Sequence, residues 1–200
     1  MSFLEKINSF KFISIFILII FLKGCSNTDM KNFSNNKPKL DLFKFFEGDT
    51  IAYGIFEDRF GNLRRQFRVN IRGSIVDDKL ILDEKFLYDD GESDSRIWKI
   101  TKNKLLNNQT NYSGSAEDIE GNAKGKVVGN ALNWTYDVYL NFKRNKIKVK
   151  FNDWIYQQDD SVAINRAYVS KFGIEIGTVT LVFLRGKAAK TIGPLNLKKW

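Results

Sequence analysis

A hydrophobic fraction of 43%, aromatics at 14%, gives these 200 residues enough apolar surface to fill one sizeable core, which excludes a disordered chain. A single cysteine and no histidine exclude an internal disulfide, leave the usual zinc, copper and haem sites without ligands, and deprive a serine nucleophile of its usual base. The formal charge of +9 is scattered along the chain, so a solvated basic surface explains it better than a patch for anionic lipid or acidic polymer; no nucleic-acid partner and no cofactor are expected.

Residues 1–24 have the order of a secretory signal: Lys6 and Lys11, then an apolar run over 12–22 broken only by Ser14, then Lys23 and Gly24 before Cys25. The run is short for a bilayer-spanning helix, which needs about 20 apolar residues. Leu22-Lys23-Gly24-Cys25 resembles the lipobox of bacterial lipoproteins, although Lys23 stands where Ala, Ser or Thr is usual. This predicts cleavage before Cys25 and lipidation of its sulfur, with an uncleaved anchor and an incidental cysteine as the alternative. Ser26 after the cysteine resembles sorting to the outer membrane of a Gram-negative envelope, facing the periplasm. Residues 25–38, polar and Asn-rich, read as a flexible tether.

A domain is expected over 39–186. Residues 40–46 predict a short helix, with Asp41 as N-cap and Gly48 as its stop, whose Leu42, Phe43, Phe45 and Phe46 would cover the open end of a barrel. The pattern then switches to period two between Gly, Asn and Asp turns. Strands are predicted at 50–57, 63–72, 79–88, 96–102, 105–113, weakly at 123–128, then at 131–140, 146–156, 162–170 and 174–185. About nine or ten short strands with tight turns and no long amphipathic helix favour an all-β, antiparallel up-and-down barrel, with a sandwich second. Residues 187–200 read as a basic, frayed C-terminal tail.

Two hairpins carry charges on apolar faces. Leu80, Leu82, Glu84, Phe86 and Tyr88 share one face, and Arg96, Trp98 and Ile100 share another. Glu84 and Arg96 are equidistant from Asp90, which makes them cross-strand neighbours. Val149, Phe151, Asp153 and Ile155 share a face, as do Val162, Ile164, Arg166 and Tyr168; Asp153 and Arg166 are symmetric about Asp159-Asp160. A buried charge needs a partner, so each acid is expected to pair with its arginine. Three readings are open: the pairs close polar spots in the barrel wall; an arginine grips a carboxylate or phosphate headgroup below an apolar cavity; or the two carboxylates work on a glycoside. Pairing with arginine would keep both acids ionised and leave no general acid, which sets catalysis aside and predicts that the protein is not an enzyme. Trp98, Trp134 and Trp154 read as core or wall aromatics; Trp98, Trp134, Tyr136 and Phe86 would line any pocket. Asp89, Asp90, Glu92 and Asp94 lack the spacing of a calcium loop and read as solvated turn acids.

Leu82-Asp83-Glu84-Lys85-Phe86, Tyr88-Asp89-Asp90-Gly91-Glu92, Arg96-Ile97-Trp98, Gly129-Asn130-Ala131, Asp153-Trp154, Asn165-Arg166-Ala167 and Ser170-Lys171-Phe172-Gly173 resemble the bacterial lipoprotein family catalogued as domain of unknown function 3833. The resemblance runs from the lipobox to about Arg185. It implies a Gram-negative envelope lipoprotein and a lipocalin-like barrel, and implies no activity. The residues and the resemblance together lead to a membrane-tethered barrel binding an apolar or amphiphilic ligand without catalysis. The alternative is a structural or assembly lipoprotein that binds another envelope protein through its surface.

Overall fold

The computed structural model describes residues 28–103, 109–142 and 145–200. The leader, Cys25 and the first part of the predicted fifth strand lie outside the described residues. Ten antiparallel strands close into a barrel in which each pairs with its neighbours in sequence and the last returns to the first. They are β1 (Gly48–Asp58), β2 (Leu63–Val76), β3 (Lys79–Tyr88), β4 (Ser93–Asn103), β5 (Thr110–Ser115), β6 (Ile119–Val128), β7 (Ala131–Phe142), β8 (Asn145–Gln157), β9 (Val162–Lys171) and β10 (Ile174–Arg185). The expected lipocalin-like, up-and-down barrel is therefore the fold, and the sandwich is not. The weakly patterned sixth strand forms in full, with a register irregularity between Glu120 and Lys124 that its alternation could not show.

Turn chemistry sets this topology. At the β1–β2 turn, Asp58 Oδ1 accepts from the backbone N–H groups of Phe60 at 2.9 Å and Asn62 at 3.0 Å. At the β8–β9 turn, Asp159 Oδ1 accepts from Ser161 N–H at 2.7 Å and Val162 N–H at 2.8 Å.

One end of the barrel is plugged by a single-turn helix, α1 (Leu42–Phe46). The Asp41 carboxylate caps it by accepting from Phe43 N–H at 3.0 Å and Lys44 N–H at 3.3 Å. Leu42, Phe45 and Phe46 are buried, and Phe46 meets Phe183 of β10 edge-on, 5.2 Å between centroids. Gly73 admits the helix: a Cβ there would lie 1.7 Å from the Phe46 carbonyl oxygen. The plugged half is a packed core in which Leu80, Leu82, Ile100, Leu132, Ala163 and Phe183 are buried.

Toward the other end packing loosens. Inward-facing Phe56, Phe86, Tyr88, Tyr136, Phe151 and Val179 are only partly buried. Because these side chains point inward, their accessible surface faces the lumen.

Both terminal segments dock on the outer wall, which corrects two expectations. Residues 29–38 are not a free tether: a 3-10 turn, Met30–Phe33, buries Met30 against Val128 and Trp154, and Phe33 packs on Trp154 and Tyr156. The tail is not frayed: α2 (Gly186–Ile192) places Ala189 against Ile51, and the Asn70 side chain both donates to Leu195 O and accepts from Leu195 N–H at 2.9 Å. Scattered apolar residues inside polar strings carry no period that would show these contacts; Met30, Phe33 and Leu195 each stand between non-apolar neighbours, and Ala189 has only Ala188 beside it.

Gly129 anchors the N-terminal segment. It has φ +56°, a Cβ there would sit 1.7 Å from the Phe33 carbonyl oxygen, and its own carbonyl accepts from Leu40 N–H at 2.8 Å. Gly129→Ala is expected to destabilise the protein by at least about 1–3 kcal/mol, the cost of a left-handed non-glycine residue. Urea denaturation measures this, and an unchanged midpoint would show that the segment does not hold the site as described.

Candidate functional site

The lumen is layered by the register. Glu84 of β3 is opposite Arg96 of β4, with Leu82 opposite Trp98 one step deeper and Phe86 one step toward the open rim. On β7 and β8, Trp134 is opposite Asp153 and Tyr136 opposite Phe151. A charged layer therefore lies below an aromatic rim and above the apolar plug.

The expected Glu84–Arg96 neighbourhood holds, but the ion pair goes elsewhere. Arg96 donates from Nε at 3.0 Å and Nη2 at 2.7 Å to Oδ2 of Asp118, on the β5–β6 connection. The second predicted pair does not form. Asp153 is opposite Ala167, and Arg166 is opposite Trp154 on the outer wall, because Gln157 and Ala163 enclose a connection centred on Asp160. That shift of one residue turns β9 over. Ala163, Asn165, Ala167 and Val169 face inward, while Ile164, Arg166 and Tyr168 are exposed. The inward partner of Asp153 is Asn165, whose Nδ2 donates to Asp153 Oδ1 at 2.7 Å.

The predicted pocket aromatics Trp98, Trp134, Tyr136 and Phe86 all point into the barrel. Trp98 meets Trp134 and Tyr136 edge-on at 5.6 and 5.3 Å, and Tyr136 stacks on Phe151 at 5.2 Å. Gly114 and Gly125 form the bed of Trp134: a Cβ at Gly125 would lie 2.2 Å from its ring. Trp154 faces out and holds the N-terminal segment. At the rim, the Arg65 guanidinium lies 3.6 Å from the Tyr88 ring centroid and pairs with Asp90 at 2.8 Å and with Glu92. The acidic turn is therefore tied to the barrel mouth. Asp118, Asn165, Tyr88 and Arg65 are site residues that sequence reasoning missed. The inward face of β9 was hidden because alanines carry little hydrophobic signal, and Asp118 sits on a connection with no period.

Burial governs the chemistry of the charged layer. It raises the Glu84 carboxyl to about 7, against the pull of Arg96 and with the repulsion of Asp118 and Asp153. Burial also raises Asp153 to about 6, opposed by the Asn165 hydrogen bond, the Arg96 charge and the neighbouring Tyr136 hydroxyl. Three acceptor atoms here, Asp118 Oδ1, Asp153 Oδ2 and Asn165 Oδ1, are buried without a hydrogen-bond partner. Separately, an open groove of about 510 Å³ lies on the outer wall between Thr28–Met30 and Lys126, Asn133, Thr135, Asn152 and Trp154.

These features define a closed, ten-stranded, lipocalin-like barrel whose interior holds a buried polar layer beneath partly exposed aromatic side chains. The profile of the family described as "Protein of unknown function (DUF3833)" matches residues 19–185, and the chain belongs to that family. No curated protein matches it. Among solved structures, it is similar to the S-type phycobiliprotein lyase CPES from Guillardia theta, with TM-score 0.46 and 10% identity over 72% of this chain and 90% of that one. The expectation of a non-enzyme is corrected. The premise behind it fails, since neither Glu84 nor Asp153 is ion-paired among the described residues and burial raises Glu84 to about 7, so the lumen does hold an acid that arginine does not keep ionised.

Both acids hold protons in the folded state that the unfolded chain would release. Their favourable contribution is therefore present at low pH and lost as pH rises from the ordinary carboxylate range through about 6 for Asp153 and about 7 for Glu84. Glu84→Gln carries no charge at any pH. It is expected to exceed the wild type in stability by roughly 1–3 kcal/mol near pH 8 and by much less near pH 5. Urea midpoints of both proteins at the two pH values test this; a pH-independent difference would show that Glu84 ionises freely in the fold.

Proposed function

We propose that the protein is a lipid-anchored envelope barrel that takes an amphiphilic ligand into its open half, apolar body against the aromatic rim and polar end on the charged layer. The observation that carries this is the partly accessible, inward-facing set Phe86, Tyr88, Tyr136 and Phe151 directly above Asp153 and Asn165, whose outer acceptor atoms are buried and unsatisfied. An apolar-lined concavity with a few convergent polar groups is the usual form of a small-molecule site. The anchor rests on the leader, with its apolar run and the Leu22-Lys23-Gly24-Cys25 motif. By the sorting resemblance at Ser26 the location is the outer membrane, periplasmic side.

Native mass spectrometry of protein extracted from membranes is expected to show a bound lipid-sized mass. Val179→Trp, which fills the lumen from β10, is expected to lose that mass while its circular dichroism stays that of a β-barrel. Retention of the mass by the filled variant would place the ligand outside the lumen. Cys25→Ser is expected to move the protein from the membrane fraction to the soluble fraction; unchanged membrane retention would refute the lipid anchor.

The outer wall supports a second reading, docking of another envelope protein. Tyr156, Ile164, Val182 and Tyr53 form one row across β8, β9, β10 and β1, and Ile164, Tyr53 and neighbouring Tyr168 are exposed. Photocrosslinking from position 168 in cells separates the two: a single protein adduct favours docking, and its absence with a bound lipid favours the lumen.

A further inference from the structure

The lumen holds more acid than base. Its inward or inward-reaching charged groups below the rim are Glu84, Asp118, Asp153 and Arg96, and both bonds of Arg96 go to Asp118. From the other strands packed around this layer come Trp134 and Tyr136 of β7, Asn165 of β9 and Val179 of β10, none of them cationic. At the rim Arg65 is paired with Asp90 and Glu92, and Asp94 adds a further acid. Among the described residues, then, no unpaired cation faces the interior.

The hydrogen-bond inventory has the same sign. The three unpartnered buried atoms of the layer are all acceptors: two belong to Asp153 and Asn165, only 7% and 4% exposed, and the third to Asp118, whose side chain is 34% exposed. The one unpartnered buried donor nearby, Arg65 Nε, lies above the layer at the rim, on a guanidinium already paired with Asp90 and Glu92. Asn165 spends one amide N–H on Asp153 Oδ1, and the neighbouring Tyr136 hydroxyl is the other neutral donor beside this carboxyl; neither brings a positive charge. A carboxylate or phosphate head would bring more acceptors and a like charge into this layer. An ammonium head brings three N–H donors and the opposite charge.

Resting on the reading that the open half takes up an amphiphile, we infer that its ligand is a cationic amphiphile: a primary ammonium head seated on Asp153 and Asn165 beneath Tyr136, with an apolar tail against Phe86, Tyr88 and Phe151. This reverses the anionic headgroup that the sequence left open, because of the two arginines that could grip an anion Arg166 lies outside the barrel and Arg96 is bound to Asp118. It also runs against the chain's net charge of +9, which would draw non-specific anions instead. A measured preference for the amine therefore reports the lumen and not the outer surface.

The test compares dodecylamine, dodecanoate and dodecanol on the full-length protein purified in detergent, read by native mass spectrometry and by the fluorescence of Trp98 and Trp134. Dodecylamine is expected to bind about tenfold more tightly than dodecanoate near neutral pH, about 1.4 kcal/mol. Asp153→Asn is expected to erase most of that preference, read as the ratio of dodecylamine to dodecanoate affinity in the same protein, and Glu84→Gln serves the same purpose if the first variant does not fold. Equal or tighter binding of dodecanoate, or dodecanol equal to the amine, overturns the cationic head while leaving the amphiphile-binding lumen standing. Failure of all three to bind, with the two tryptophans unmoved, overturns the lumen reading itself.

Discussion

Closure of the sheet is the constraint on which everything else depends. Once β1 pairs with β10, every strand must send alternate residues into one enclosed space, and no inward group can escape to solvent sideways. The chain fills that space from one end only. A capped single-turn helix and three large apolar side chains seal the end where β1 begins. Nothing comparable covers the opposite end among the described residues, so the lumen grades from packed core to accessible cleft along the same strands.

That gradient explains why charges persist inside. A carboxyl at the depth of Leu80 would have neither water nor a partner, and burial there would keep it neutral. Two layers nearer the rim, Glu84 and, across the lumen, Asp153 retain the influence of Arg96 and Asn165, and their proton affinities rise only to about 7 and 6. Replacing such a layer with apolar side chains is often neutral or stabilising. Closure of the sheet and the apolar plug do not require this layer, and the proposed amphiphile site rests on it.

The strand count, the helix with its Asp41 cap and the Glu84–Arg96 register were legible because local rules produce them: period two, turn residues and a capping aspartate. The β3–β4 connection closes from Leu87 to Ser93 around Asp90, and the inward set of β3 follows from it. The β8–β9 connection has the same length, from Gln157 to Ala163, but centres on Asp160 rather than between Asp159 and Asp160. That half-residue difference moves Arg166 to the outside. Hydrophobicity could not correct it, because β9 carries its large apolar residues Ile164 and Tyr168 outward and its alanines inward. Asp118 was illegible for a different cause. Its link to Arg96 spans 22 residues and depends on barrel curvature, which no local pattern encodes. The docked termini depend likewise on isolated apolar residues finding the finished wall.

The same alternation partitions the electrostatics. A chain of net charge +9 folds so that acids outnumber bases in the lumen and at its mouth, while Lys124, Lys126, Lys148 and Lys150 face outward from β6 and β8. Exposed lysines act through screened water and fade within about 10 Å, whereas groups in the lumen act at short range through a poor dielectric. The exterior and interior thus carry opposite excess charge without conflict. A sheet that alternates faces at every residue, and closes on itself, keeps these two sets of charges apart within a single layer of strands.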